Sequence, residues 1–86
     1  MDVFIYFVGS LNCSLGDIED ALDAALHDMG EVTGTGTGEY GSNIDIYINN
    51  MTIGEQHIID ILRSTLKLFD VPTGATVTID GRKVLI

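Results

Sequence analysis

The order of hydrophobic and polar residues along the chain predicts alternating strands and helices. Residues 3–8 (VFIYFV) are apolar at successive positions, a pattern typical of a central strand that is covered on both faces. Residues 44–48 (IDIYI) alternate apolar and polar side chains, which indicates a strand with one face toward the core. Residues 75–80 alternate again, and the Asp-Gly pair at positions 80–81 favours a two-residue hairpin turn into a last strand, residues 82–86.

Two other stretches carry apolar residues at helical spacing. In residues 15–29 the apolar residues recur three or four positions apart, which predicts a first helix over this range. We expect Gly30 to cap that helix at its C-terminus. A second helix is expected after Thr52, which would cap it through a capping box with Glu55. The apolar face of that second helix is predicted to contain Ile58, Ile61, Leu62, Thr65, Leu66 and Phe69.

The segment between the first helix and the alternating strand is rich in glycine and threonine. Residues 34–38 (GTGTG) predict an edge strand that leads into a flexible hairpin. Residues 36–41 (GTGEYG) also match the glycine pattern of dinucleotide-binding sites. Such a site requires a preceding strand and a following helix, whereas a strand follows here, and Glu39 would repel a phosphate. We therefore expect no nucleotide cofactor.

The predicted elements follow one another as strand, helix, strand, strand, helix and strand, with a further strand at the C-terminus. This order is the split β-α-β pattern of the ferredoxin-like sandwich. We expect an α+β fold of the ferredoxin-like, two-layer type (βαββαβ), in which an antiparallel sheet carries two helices on one face. A length of 86 residues and a hydrophobic content of 45% fit a single folded domain over residues 1–86.

The charges are strongly segregated along the chain. No lysine or arginine occurs in residues 1–62, and of the 13 acidic residues only Asp70 and Asp80 lie after that segment. The formal net charge is -9, which repels phosphate and therefore argues against nucleic acid and anionic membranes as direct partners. A basic protein is the expected partner, because an acidic surface speeds association with positively charged molecules. The four basic residues are Arg63, Lys67, Arg82 and Lys83.

The sequence also indicates the cellular compartment of the protein. Residues 3–9 form an apolar run that is too short to span a membrane, and no leader pattern accompanies it. Cys13 is the one cysteine, so an internal disulfide cannot form, and a reducing compartment is expected. We expect a cytoplasmic protein.

Few residues suggest metal binding or catalysis. His27 is four residues from both Asp23 and Glu31, a helical spacing that would suit a metal ion. Because the helix is expected to end at Gly30, a solvated histidine is the better interpretation. No serine or cysteine nucleophile belongs to a recognisable catalytic motif, so we expect a non-catalytic chain without a metal or another cofactor.

In its small size, single domain and acidic front (residues 2–60), the chain resembles small bacterial immunity proteins, including those paired with contact-dependent growth-inhibition toxins. The resemblance implies stoichiometric inhibition of a basic, nuclease-like toxin domain, in which carboxylates steer the toxin, aromatic side chains anchor it, and its active site is occluded. The candidate contact residues come from the first helix, the glycine-rich hairpin and the strand after it. They are Asp20, Asp23, Glu39, Tyr40, Asp45 and Tyr47.

The open sheet face expected for this fold suggests two alternatives. One is a dimeric regulatory module, which would pair with a second copy through that face and bind a small ligand. The other is an RNA-recognition module, but Asp45 lies beside Tyr47 where such a module would benefit from a basic residue. The homodimer is therefore the runner-up to the immunity interpretation.

Overall fold

The computed structural model describes residues 1–9, 14–38, 40–49, 52, 54–69 and 75–84. These residues form a five-stranded antiparallel sheet and two α-helices, which confirms the predicted α+β class. The elements, in chain order, are β1 (Asp2–Val8), α1 (Leu15–Leu26), a short 3-10 turn (His27–Met29), β2 (Gly30–Thr37), β3 (Gly41–Ile48), α2 (Glu55–Lys67), β4 (Thr76–Ile79) and β5 (Arg82–Val84).

The strands are arranged in the order β2-β3-β1-β4-β5, and each neighbouring pair is antiparallel. Strand β1 is central, because Val3 lies opposite Ile46 of β3 on one side and Ile79 of β4 on the other. Strand β2 is at one edge, as the glycine and threonine pattern predicted, and its repeat is part of a regular strand. A register shift between Val32 and Gly34 marks a bulge in β2.

One face of the sheet and the apolar faces of both helices form the core. Burial alternates along β1, β3 and β4, because successive side chains of a strand point to opposite faces. Each fully buried leucine, isoleucine or phenylalanine contributes about 1.5–3 kcal/mol of transfer free energy. The largest of these side chains are Ile5, Phe7, Ile18, Leu22, Leu26, Ile44, Ile48, Ile58, Leu62, Val77 and Ile79.

The prediction that β1 is covered on both faces is wrong. Its odd-numbered side chains are buried, but Phe4 and Val8 are 42% and 56% exposed. Both helices contribute their buried residues to the same core cluster, so within the described part of the chain the opposite face of the sheet has no helix to cover it.

The predicted helix boundaries also need correction. Helix α1 ends at Leu26, because His27 adopts a positive φ of 53°. Gly30 does not cap α1 itself but is the C-cap of the 3-10 turn that follows it. It is a buried residue of β2, where an added Cβ would lie 2.5 Å from the carbonyl oxygen of Tyr47. Glycine is needed at this position because the neighbouring strand approaches closely.

Helix α2 begins at Glu55 with Gly54 as its N-cap, so the prediction that Thr52 caps the helix is wrong. Glu55, the acidic residue of the predicted capping box, is in the first turn of α2. Its Oε1 accepts a hydrogen bond from Nη2 of Arg82. This ion pair links the start of α2 to β5. The carboxylate also lies at the positive end of the helix dipole.

The predicted hairpin between β4 and β5 is confirmed. Asp80 and Gly81 have φ values of 49° and 85°, as a type I′ turn requires. The turn places Arg82 opposite Ile79 and Val84 opposite Val77. The last strand therefore pairs within the chain.

Candidate protein-binding surface

The uncovered face of the sheet carries an aromatic stripe, which we define as Phe4, Tyr6 and Tyr47. Phe4 and Tyr6 are two positions apart on β1 and therefore point to the same side of the sheet. Tyr47 is diagonal to Phe4, since Phe4 lies opposite Asp45 in the β1–β3 register. Phe4 and Tyr47 are 42% and 44% exposed, and Tyr6 is half-buried.

Tyr6 is half-buried because its ring lies beside a glycine. Gly41 is in β3, opposite Val8, and a Cβ added at Gly41 would meet the Tyr6 Oη at 3.0 Å. The missing side chain gives the phenol room to lie across the sheet. The aromatic stripe therefore depends on a glycine of the neighbouring strand.

Carboxylates border this stripe at one end. Tyr47 lies opposite Asp2 of β1 on one side and opposite Glu31 of β2 on the other. Asp45 occupies the next outward position of β3 and pairs with Phe4. The exposed rings are thus close to three acidic residues from three strands, an arrangement that suits a cationic ligand surface.

A basic residue lies at the far end of the same row. Thr78 of β4 is opposite Phe4, and Lys83 of β5 is opposite Thr78. Across the sheet, the row therefore consists of the Asp45 carboxylate, the Phe4 ring, the Thr78 hydroxyl and the Lys83 ammonium group.

A shallow depression of about 360 Å³ lies in the centre of the open face. Its wall includes the hydroxyl of Thr33, which donates to the carbonyl oxygen of Asp45 at 3.3 Å. The residues that line it include Asp2, Phe4, Thr33, Asp45, Thr78 and Gly81. A depression with an aromatic ring and two carboxylates can accept one protruding basic side chain of a partner.

Of the five predicted contact residues that the structure describes, two lie together and three lie apart from them. Asp45 and Tyr47 are adjacent outward positions of β3. Tyr40 immediately precedes β3 and is 76% exposed. Its carbonyl oxygen accepts a hydrogen bond from the backbone N–H of Gly9 at 2.9 Å. Glu39 lies outside the described residues.

Asp20 and Asp23 belong to α1, which lies on the covered side of the sheet. Asp20 is exposed, whereas Asp23 has a structural partner, because its Oδ1 accepts from the backbone N–H of Val32 at 2.8 Å. That bond links α1 to the start of β2. These two aspartates therefore do not share a surface with Tyr47.

Sequence reasoning missed Asp2, Phe4 and Glu31. The aromatic residues at even positions of β1 were a usable signal, because residues two apart in a strand share a face. Glu31 had no such signal, since its position beside Tyr47 depends on the register between two strands.

The metal-like spacing around His27 does not assemble a site. His27 Nδ1 lies 3.2 Å from Oδ2 of Asp28, and Asp23 is bound to the backbone of β2. Within the described residues, no three His, Cys, Asp or Glu side chains are grouped so that they could hold a metal ion.

Neither helix of the described part of the chain has the length and apolar character needed to cross a membrane. The chain matches no protein-family model, no curated protein and no solved structure.

Proposed function

We propose that this chain is a non-catalytic, acidic domain that binds a basic protein through the open face of its sheet. The observation that carries the proposal is the position of Tyr47, 44% exposed between Asp2 and Glu31. Exposed aromatic rings beside carboxylates supply both parts of a binding surface for a cationic protein. The rings provide apolar contact area, and the carboxylates provide attraction.

The expected energetics follow from these two parts. Aromatic residues buried at the centre of an interface commonly contribute about 2 kcal/mol or more each. The carboxylates, and the net charge of -9, mainly increase the association rate and select against acidic partners. We therefore expect Phe4 and Tyr47 to control dissociation, and Asp2, Glu31 and Asp45 to control the salt dependence of association.

The finer proposal is that the partner is a nuclease-like toxin domain and that this chain is its immunity protein. A nuclease attracts nucleic acid with a basic groove, and an acidic protein face can occupy that groove in place of phosphates. Binding would then inhibit the toxin stoichiometrically. Support comes from the segregated acidic residues of the chain.

We also propose that the sandwich is of the ferredoxin-like kind, with β5 added at one edge. Each helix connects two strands that have one other strand between them. Helix α1 joins β1 to β2, with β3 between them, and α2 joins β3 to β4, with β1 between them. This double split β-α-β connection supports the proposal.

The charge on the open face favours a basic partner over a second copy of the chain. Each copy of a two-fold dimer through this face would add Asp2, Glu31 and Asp45 to the interface, against Lys83 as the basic residue of the same row, so the interface would carry an excess of negative charge. Like charges brought together at an interface cost free energy. A regulatory homodimer remains the competing function that the following experiment also tests.

The test uses affinity capture from the source cells with three baits at low and moderate salt. The baits are the wild-type chain, the Phe4→Ser/Tyr47→Ser double variant, and Leu68→Ser as a matched control. Leu68 is 80% exposed just after α2, so its loss removes an apolar side chain from another surface. We expect the wild type and the control to capture the same basic protein and the double variant to lose it.

The captured protein is then titrated with the wild-type chain in a nuclease assay. The immunity proposal expects inhibition that is complete at a 1:1 ratio. Equal capture by all three baits would contradict the open face as the binding surface. A chain that captures no basic protein and sediments as a dimer would favour the regulatory module.

A further inference from the structure

We propose that the outer edge of β2 is a second contact surface, where an extended segment of the partner that contains lysine or arginine pairs as an added strand. The inference rests on the proposed function for the basic character of the partner. The two surfaces share Asp45, but the backbone groups of Thr35 and Thr37 belong to the edge alone and the aromatic stripe to the open face alone, so the two can fail independently. Adding a strand to an exposed sheet edge is a common mode of peptide recognition.

The register of the β2–β3 hairpin identifies the backbone groups that face outward. The N–H of Gly38 donates to the carbonyl oxygen of Gly41 at 2.8 Å, so these two residues are a hydrogen-bonded pair. Hydrogen-bonded and non-hydrogen-bonded pairs alternate along an antiparallel ladder. Thr35 and Thr37 therefore direct their N–H and C=O groups away from β3.

The edge is closed at its start and open farther along. The N–H of Val32 donates to Asp23 Oδ1 at 2.8 Å, so α1 occupies the edge up to the bulge. Natural edge strands are protected from pairing by proline, lysine, inward-pointing charges or bulges. Residues 33–38 (TGTGTG) contain neither proline nor a charged residue. Beyond the bulge, the edge therefore lacks these protections.

The glycines of β2 give this edge its preference for a basic segment. Gly34 and Gly36 lie opposite Asp45 and Asn43 on the open face. A Cβ added at Gly34 would lie 3.4 Å from Asp45 Oδ2, and one added at Gly36 would lie 2.8 Å from Asn43 Oδ1. The polar groups of β3 therefore extend over the glycines of β2, toward its outer edge.

An added strand would lie about 4.8 Å from β2. A lysine or arginine opposite Gly34 could then reach across that glycine to the carboxylate of Asp45, because β2 places no side chain in the way. On the same edge, a second copy of this chain would present its own β2, which contains no lysine or arginine and so would supply no cation to Asp45. Charge complementarity therefore favours a basic segment as the occupant.

The experiment uses the full chain and a short peptide of alternating lysine and valine as the probe. Amide hydrogen exchange is followed by NMR, with a glutamate and valine peptide as the charge control. We expect the lysine peptide to slow exchange at Thr35 and Thr37 about tenfold or more, since both amides gain acceptors. The glutamate peptide should leave them unchanged.

Variants separate backbone pairing from side-chain effects. Thr35→Pro removes one outward N–H at a position where an edge strand tolerates proline, and we expect it to weaken peptide binding about tenfold. Thr35→Val keeps the N–H and should bind as the wild type does. Asp45→Asn should weaken binding about fivefold, whereas Asp60→Asn removes the same charge from α2 and should have less effect.

Three results would overturn the inference. The first is equal peptide affinity of Thr35→Pro and Thr35→Val. The second is a change in the NMR signals of Phe4 and Tyr47 when the peptide is added, while amide exchange at Thr35 and Thr37 stays unchanged. The open-face proposal would then stand without the edge. The third is a dimer, without peptide, that Thr35→Pro dissociates, because a second copy would then be the occupant. A different outcome would support the edge and count against the open face. In that case the peptide slows amide exchange at Thr35 and Thr37, and the Phe4→Ser/Tyr47→Ser variant still captures the partner.

Discussion

Asp2 and Asp80 are joined by two reciprocal hydrogen bonds. The N–H of Asp80 donates to the carbonyl oxygen of Asp2 at 2.8 Å, and the N–H of Asp2 donates to Asp80 Oδ1 at 2.8 Å. The side chain of Asp80 thereby continues the β1–β4 pairing past the last ladder pair, Val3 and Ile79. A turn residue thus fixes the start of the central strand, and with it the position of Phe4 on the open face.

Replacing Asp80 with alanine should lower the free energy of unfolding by about 1–2 kcal/mol. The variant loses the acceptor for the Asp2 N–H and places alanine at a positive φ. Asp80→Asn keeps an oxygen acceptor and tolerates positive φ, so it should lose much less. Urea unfolding of the two variants measures this difference, and equal stabilities would contradict the role assigned to the carboxylate.

Two glycines should respond in opposite directions to alanine. Gly30→Ala should destabilise the fold by about 1–3 kcal/mol, since its Cβ would lie 2.5 Å from Tyr47 O and 2.8 Å from Ile48 Cδ1. Gly16→Ala should stabilise it by about 0.5–1 kcal/mol, because Gly16 is helical and its Cβ would meet only an ordinary contact, Ser14 Oγ at 3.5 Å. Thermal unfolding checks both, and a neutral Gly30→Ala would refute the close strand approach.

Replacing Asp23 and replacing Asp20, both in α1, should affect the stability of the fold differently. Asp23→Ala should reduce the free energy of unfolding by about 1 kcal/mol, because the N–H of Val32 loses its acceptor. Asp20 is exposed, and Asp20→Ala should change stability by less than about 0.5 kcal/mol. Denaturant titrations of the two variants provide the comparison. A loss at Asp20 equal to that at Asp23 would contradict the assignment.

Asp20 also tests whether α1 steers the partner. Asp20→Lys should reduce the association rate, and less so at high salt, if the charge of α1 contributes to attraction. Stopped-flow mixing with the captured partner measures this rate. An unchanged rate at low salt would exclude the charge of α1 from steering the partner.

Tyr47→Ala should separate binding from folding. The ring is 44% exposed on the uncovered face, so we expect unfolding to stay cooperative with a loss of about 1 kcal/mol or less. Partner dissociation should accelerate by roughly tenfold or more, as expected for a buried aromatic contact. Denaturant unfolding and surface-immobilised binding give the two values. Unchanged affinity would exclude Tyr47 from the contact surface.

The elements predicted correctly are those whose signals are local. The alternation over residues 44–48 and the Asp80 and Gly81 turn each depend on neighbouring residues, and both hold in the structure. The exposure of one face of β1 followed from the expected fold, which places both helices on one side of the sheet, and not from the local pattern. Residues 3–8 are apolar on both alternations, and which face is covered depends on where the two helices pack.

The candidate site was predictable to a similar extent. Asp45 and Tyr47 are two residues apart in one strand, so a shared face followed from spacing alone. Their neighbours Asp2 and Glu31 are distant in sequence, and the bulge between Val32 and Gly34 shifts the register of β2. No local sequence pattern predicts how β2 aligns with β3. For the same reason, the role of Asp23 in binding the Val32 amide was not visible before the strands were paired.

The central claim is that the open face of the sheet contacts a basic partner. It is tested most directly by titrating the isotope-labelled chain with the captured basic protein and mapping the amide and aromatic NMR signals that change. Our account predicts the largest changes at Phe4, Tyr6, Asp45 and Tyr47, in a 1:1 complex that weakens as salt rises from about 0.05 M to about 0.3 M. Changes confined to α2, with the aromatic stripe unaffected, would contradict it.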